Sequence, residues 1–307
     1  MTLFVNKPHL THKIWGGKKL GVSKGLALDP QLGPLGETWE VSTIKGCESL
    51  VGDKKLTELI KPEECPYLIK FIDTSDNLSV QVHPGDEYAK KNENTTGKTE
   101  CWVVLAAKKG EGIYLGLKKN VSEKQFFDAA AKGEDLSKLM RFFPVAKGDF
   151  FFVPAGTLHA IGKDVTIAEI QQPSGVTYRV WDWNRLDDQG NSRELHVQQA
   201  KDVSLFDEKS NEPKSFLIKV NVFQLPLGTG LVEHPNFRVR VFKFNKDQKI
   251  KLDLRQDRLT TIIMCKGSLN VAGTENATIS EFNTLSLQKE SSIELSTEKK
   301  VEFLIVD

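Results

Sequence analysis

Short runs rich in β-branched and aromatic residues, each closed by Gly, Pro, Asn or Asp, recur along most of this sequence and limit its fold more than any other feature. ETWEVS (37 to 42), NLSVQVH (77 to 83), ECWVVLAA (100 to 107), DFFFVP (149 to 154), DVTIAEIQ (164 to 171) and VTYRVWDW (176 to 183) have the length and composition of strands. Many short strands bounded by turn formers fold as a sandwich or barrel of antiparallel strands. A chain of 307 residues has room for two domains. The polar run FDEKSNEPKS, around 205 to 216, is the best candidate for the boundary, giving units of 1–205 and 206–307.

Helical signals gather in the middle of the first unit. Ser122 and Gln125 have capping-box spacing ahead of QFFDAAAK. Leu136, Leu139, Met140 and Phe143 then recur at helical spacing behind Asp135, with Pro144 closing the segment. Together they predict a small helical insertion at about 118–143 whose apolar stripe is packing. Asp86 and Glu87 are read as the cap and start of a short helix, DEYAKK. Past residue 206, FRVRVFKF, RLTTIIMCKGSLNVAG, SSIELS and KKVEFLIVD alternate as strands, and GSLNVAG predicts a hairpin. That region holds only His234 and reads as a degenerate jelly roll with a structural role.

Composition narrows the partners. With 42 basic and 41 acidic residues the formal net charge is +1, too weak a field to gather nucleic acid or an acidic membrane. No apolar run approaches the ~20 residues of a membrane span, and MTLFVNKPHLTHKIW lacks a signal-peptide layout, so a cytoplasmic location is expected. Cys47, Cys65, Cys101 and Cys265 are far apart and read as free thiols, Cys101 as an inert, half-buried strand residue.

Three segments carry the chemistry. Alternate side chains of a strand face the same way, so in SVQVHPGDE Gln81 and His83 project together while Val80 and Val82 project oppositely. They are placed to grip one ion, or His83 is a strand-end histidine bonded to its neighbours. In GKTECWVVLAA, Lys98 and Glu100 share a face, and Glu100 enters an otherwise apolar run; it is either an oxygen ligand whose charge a cation compensates or an exposed edge carboxylate. In GDFFFVPAGTLHAIG, three phenylalanines run into a Pro-Ala-Gly turn, after which His159 heads the next strand. Catalytic zinc commonly takes about three protein ligands from imidazole nitrogen and carboxylate oxygen, and Gln81, His83, Glu100 and His159 meet that need. Glu169 and Gln171 share a face with Val165 and Ile167 and are placed to line the pocket or to orient ligands.

The motifs Q-V-H-P, K-T-E and P-A-G-T-L-H-A resemble, in order and approximate spacing, the zinc-binding elements of type I mannose-6-phosphate isomerases in their short bacterial form. HKIWGGKKL, GETWEVS, YLIKFIDTSDNLSVQVHP and IQQPSGVTYRVWDWNR extend the resemblance over nearly the whole first two-thirds. The resemblance implies a cupin-type jelly-roll fold, mainly β, with one zinc per chain. It also implies interconversion of mannose 6-phosphate with fructose 6-phosphate, so a small phosphorylated sugar is the expected partner of a monomer or weak homo-oligomer. The family's zinc ligands carry onto Gln81, His83, Glu100 and His159, its active-site arginine onto Arg179, and the lysine before the glutamate ligand onto Lys98. Two departures stand out: longer eukaryotic members have a tyrosine where Ile161 stands, and their long helical domain is reduced to the insertion, leaving the phosphate-binding residues unassigned.

An aldose-ketose isomerase moves one proton between C1 and C2 and another between their oxygens, through an enediol whose oxyanion needs stabilisation. In this reading zinc polarises the sugar oxygens, Arg179 stabilises charge and Lys98 shuttles a proton. The other readings are an ordinary strand arginine paired with Asp182 or Glu169, and a solvated surface lysine. Two rival functions use the same fold: a cupin metalloenzyme such as a dioxygenase, against which Gln81 speaks, and a sugar-binding or regulatory module without turnover.

Overall fold

The computed structural model describes residues 2–307 except 28, 187, 188, 274 and 289–291. The six strand runs of the sequence become strands, several of them trimmed at the ends: Leu35–Val41, Val80–Val82, Glu100–Ala107, Phe150–Val153, Val165–Gln171 and Tyr178–Trp181; Leu68–Asp73 is a further strand that the reading of the sequence did not name. They enter two sheets. A six-stranded sheet runs in the order Phe150–Val153, Glu100–Ala107, Val165–Gln171, Leu68–Asp73, Leu35–Val41, His9–Gly17. A five-stranded sheet runs Met140–Pro144, Gly112–Leu117, His159–Ile161, Val80–Val82, Tyr178–Trp181.

Burial on both faces explains why the strands of the six-stranded sheet read as near-continuous apolar runs rather than as alternating ones. On one face Cys101, Val103, Ala168, Ile170, Ile69 and Phe71 pack in a core shared with Val239, Ile263 and Leu304. On the other, Trp102, Val104, Val165, Ile167 and Ile72 pack against Ile113, Leu115 and Ile161 of the five-stranded sheet. By parity Glu100 continues the second face, as Lys70 and Glu169 do.

The remaining strands form an eight-stranded sheet and a four-stranded sheet that enclose a core of Phe242, Phe244, Ile262, Met264, Leu295 and Phe303. The hairpin read from GSLNVAG is present as Ser268–Ala272 paired with Asn276–Ser280, and SSIELS becomes Ser292–Thr297, its Ser291 lying outside the described residues. The first strand, Thr2–Lys7, joins the eight-stranded sheet beside Thr284–Gln288. The polar run at 205–216 is packed down: Asn211 accepts a 2.7 Å bond from the Leu117 amide, and Phe216 is fully buried.

Two local expectations are corrected. Ser122 caps a helix, Glu123–Ala131, but Leu136–Leu139 is one 3-10 turn and Met140–Pro144 is a strand beside Gly112–Leu117. The pairing offers those backbone groups hydrogen bonds across the sheet, which outweighs the helical spacing of the side chains. Gly85, not Asp86, is the cap of the helix Asp86–Asn92; the Asp86 carboxylate instead accepts from the Gly97 amide and Gln172 Nε2.

Candidate active site

The antiparallel partner of Gln81 is His159, so these side chains leave neighbouring strands on the same side, and Gln81 Nε2 lies 3.3 Å from His159 Nε2. His83 follows immediately after the Gln81 strand. Glu100 opens a strand of the opposite sheet and reaches across the gap: its Oε1 is 3.2 Å from His83 Nε2 and its Oε2 is 3.9 Å from His159 Nε2. The ligand atoms of His83, Glu100 and His159 lie within 4.8 Å of one another, the one such group among the described residues. All three side chains are buried.

The protonation of the two imidazoles follows from their outer bonds. His83 Nδ1 is 2.9 Å from the Val176 carbonyl and His159 Nδ1 is 2.9 Å from the Thr157 carbonyl. A carbonyl only accepts, so each Nδ1 carries the hydrogen and each Nε2 presents its lone pair to the centre. Burial, with the Lys98 ammonium second, pushes His83 down to about 3, and burial lowers His159 too, so both rings are neutral. Burial works to raise Glu100, but the Lys98 ammonium beside it leads the effects that outweigh burial and hold the carboxyl well below the usual range.

Two lone pairs and an ionised carboxylate thus converge in a dry place, where an uncompensated charge costs several kcal/mol or more. Lys98 answers only part of this: its Nζ is 2.7 Å from Glu100 Oε1 and 3.1 Å from His83 Nε2, yet Glu100 Oε1 has no aligned hydrogen-bond donor. Orphaned Glu100 oxygen, outer carbonyls that fix both ligand tautomers, and a mixed nitrogen and oxygen donor set fit a divalent zinc ion. Gln81 stands beside them with its amide nitrogen toward His159 Nε2, and turning the amide would present its oxygen instead.

Gln81 and Lys98, beside the three converging residues, line a cleft of about 300 Å³. Five cationic side chains, Lys13, Lys70, Lys98, Arg179 and Arg193, face two carboxylates, Glu37 and Glu169, along its lining. Arg179 stands opposite Gln81 in the sheet, is half-buried, and donates to the Glu194 carbonyl at 2.8 Å. Asp182 is not its partner, being bonded by Arg185 and Arg193. Lys98 is buried rather than solvated. Glu169 lies between Lys70 Nζ, 3.4 Å away, and the Trp102 indole N–H, 3.1 Å away. Burial and the nearby Glu100 charge push its carboxyl up to about 7. Cys101, read as half-buried, is fully buried, and burial pushes its thiol up and keeps it inert.

Sequence reasoning overlooked four charged cleft residues. Glu37 and Lys70 were visible by the rule that found Glu100, since each interrupts an apolar strand, in GETWEV and YLIKFID. Lys13 and Arg193 gave no local signal; only the folding of distant segments brings them to the lining. Ile161, the departure from the longer relatives, packs in the core and takes no part in the cleft.

A mannose-6-phosphate isomerase from Streptococcus mutans is 38% identical to this chain over 220 residues, 67% of this chain and 68% of that protein. The chain belongs to the mannose-6-phosphate isomerase family. No family model matches it. The mannose 6-phosphate isomerase of Bacillus subtilis has the same fold, with a TM-score of 0.81 and 27% identity over 100% of this chain and 99% of that one. A mannose 6-phosphate isomerase bound with zinc and yttrium shares the fold at 14% identity, with a TM-score of 0.73 over 99% of both chains. By family this chain is an isomerase enzyme with a mainly β, cupin-like fold, and no helix among the described residues is long and apolar enough to cross a membrane.

Proposed function

We propose that this isomerase is zinc-dependent and interconverts mannose 6-phosphate and fructose 6-phosphate through an enediol. The observation that carries the reading is the convergence of two Nε2 lone pairs and a buried carboxylate beside Gln81 and Lys98, which line a cationic cleft. His83, Glu100 and His159 would hold the ion, with Gln81 completing the set. Zinc, when bound, supplies Lewis-acid polarisation of sugar oxygens and positive charge for a developing oxyanion.

The protein's own groups take the remaining tasks. A carboxylate with a proton affinity near neutrality is suited to take a carbon-bound proton and return it one carbon away, and Glu169 is such a group within the cleft. Arg179 faces the charge that develops as the carbon proton leaves. Lys98, held against Glu100 and His83, is the candidate carrier between the oxygens. The excess of cations along the lining suits a phosphate monoester, with Lys13 and Arg193 at hand for it. All six residues of the sequence reading lie within 1–205, so catalysis is assigned to that unit and support to 206–307.

A coupled assay of the purified protein with mannose 6-phosphate, before and after chelation and with zinc restored, tests the reading. Fructose 6-phosphate formed only by the metal-loaded protein supports it. Tight sugar phosphate binding without turnover would instead leave a binding module.

A further inference from the structure

Strand pairing places Trp102, Glu169, Lys70 and Trp39 in register across four neighbouring strands. The indole N–H of Trp102 points between two carboxylates, 3.1 Å from Glu100 Oε2 and 3.1 Å from Glu169 Oε2. An indole carries one hydrogen and accepts none, so a single proton is divided between two groups that repel each other. The far oxygens face separate ammonium groups without an aligned hydrogen bond, Glu100 Oε1 that of Lys98 at 2.7 Å and Glu169 Oε1 that of Lys70 at 3.4 Å. The indole is 1% exposed and meets the His159 ring edge-on, with centroids 5.3 Å apart, so neighbouring atoms fix its direction.

We propose that Trp102 is a positioning residue that ties the metal-ligating carboxylate Glu100 to the proton-carrying carboxylate Glu169 through one shared N–H. This rests on the functional reading above and deepens it. A carboxylate whose charge is taken up by a cation is the weaker acceptor, so loading the site turns the N–H toward Glu169. The link holds Glu169 in one orientation only while the metal side is filled. Packing alone does not require a tryptophan here: a phenylalanine would meet the same apolar neighbours, Val104, Phe151 and Ile167, without a donor.

Trp102→Phe is compared with Phe151→Leu, which disturbs the same core from the facing position on the next strand and lines no part of the cleft. Zinc affinity is measured by chelator competition in the absence of sugar, and kcat and KM are measured on protein saturated with zinc. Trp102→Phe is expected to weaken zinc binding roughly tenfold and to lower kcat roughly 10- to 100-fold with KM within about twofold. Phe151→Leu should lower Tm and leave all three unchanged. Wild-type zinc affinity and kcat in Trp102→Phe, or the same losses in Phe151→Leu, would overturn the proposal. Should Trp102→Phe fail to fold, the 1H–15N spectrum of metal-free wild-type protein decides: an indole N–H resonance should move on adding zinc, and unmoved indole resonances count against the shared bond. If zinc-loaded wild-type protein fails to isomerise the sugar, the functional reading falls while the chelator measurement still judges the coupling of Trp102 to the metal side.

Discussion

The two halves of the molecule use the same construction and put different things inside it. Between the four- and eight-stranded sheets the interior is hydrocarbon: Phe242, Phe244, Ile262, Met264, Leu295 and Phe303 meet with no charge among them. Two buried carboxylates of that half are answered, Asp307 by Arg238 and Arg240 and Glu302 by Lys147. Between the five- and six-stranded sheets, by contrast, apolar packing at Trp15, Ile113 and Ile167 gives way to Glu100, Glu169, Lys70, Lys98 and two neutral histidines. A sandwich tolerates such a patch only where strands buried on both faces hold it in place and each charge meets another. One half buries hydrocarbon, and the other buries a cluster of converging charges.

The sharpest way to break this contrast is to remove a charge from the reactive side. Glu100→Gln should strip the protein of tightly bound zinc and lower turnover by roughly 1,000-fold or more, several kcal/mol in the barrier; metal analysis beside the coupled assay checks it. If the variant keeps full zinc and full activity, the converging cluster is not the metal centre.

Next in size is Glu169→Gln, expected to cost about 100- to 10,000-fold in kcat while retaining zinc. The sign of the pH effect follows from the role. A base works ionised, so kcat/KM of the wild type should rise with pH through the proton affinity of Glu169, about 7 without metal and lower once a nearby cation favours the carboxylate. A pH series in which Glu169→Gln keeps the same ascending limb would reassign the base.

Arg179→Ala should depress turnover about 100-fold or more, as loss of one fixed donor to a developing oxyanion does, with metal content intact. Loss of zinc in that variant would give the arginine a structural role.

The smallest effect on chemistry is predicted for the largest lesion in the apolar half. Phe303→Ala, at a fully buried site, should cost about 3–5 kcal/mol of stability, seen as a lower midpoint in denaturant. Its kcat and KM, measured well below the transition, should be those of wild type. A changed KM would show that the two halves communicate.

Much of this was legible in the residues. Strand runs, the shared face of Gln81 and His83, and the anomaly of Glu100 in ECWVVLAA follow from a side-chain period of two, which a single segment displays. The helical spacing at Leu136, Leu139, Met140 and Phe143 misled, because a spacing shows which side chains align if the backbone coils, not whether a neighbouring strand has taken its hydrogen bonds. The coupling of Trp102 to both carboxylates was equally hidden: nothing in residues 100 to 102 reveals that Glu169 stands opposite.

By itself, then, the order of residues determined the kinds of element, the faces of the strands and the side chains able to hold a cation. The tertiary structure alone decided which strands lie side by side, and so that Thr2–Lys7 pairs with Thr284–Gln288, that Lys13 and Arg193 reach one cleft, and that Glu169 shares a proton donor with Glu100. The physical reason is range: propensity and parity act over a few residues, whereas adjacency is settled by closing long loops onto a common core, an energy that no single segment carries.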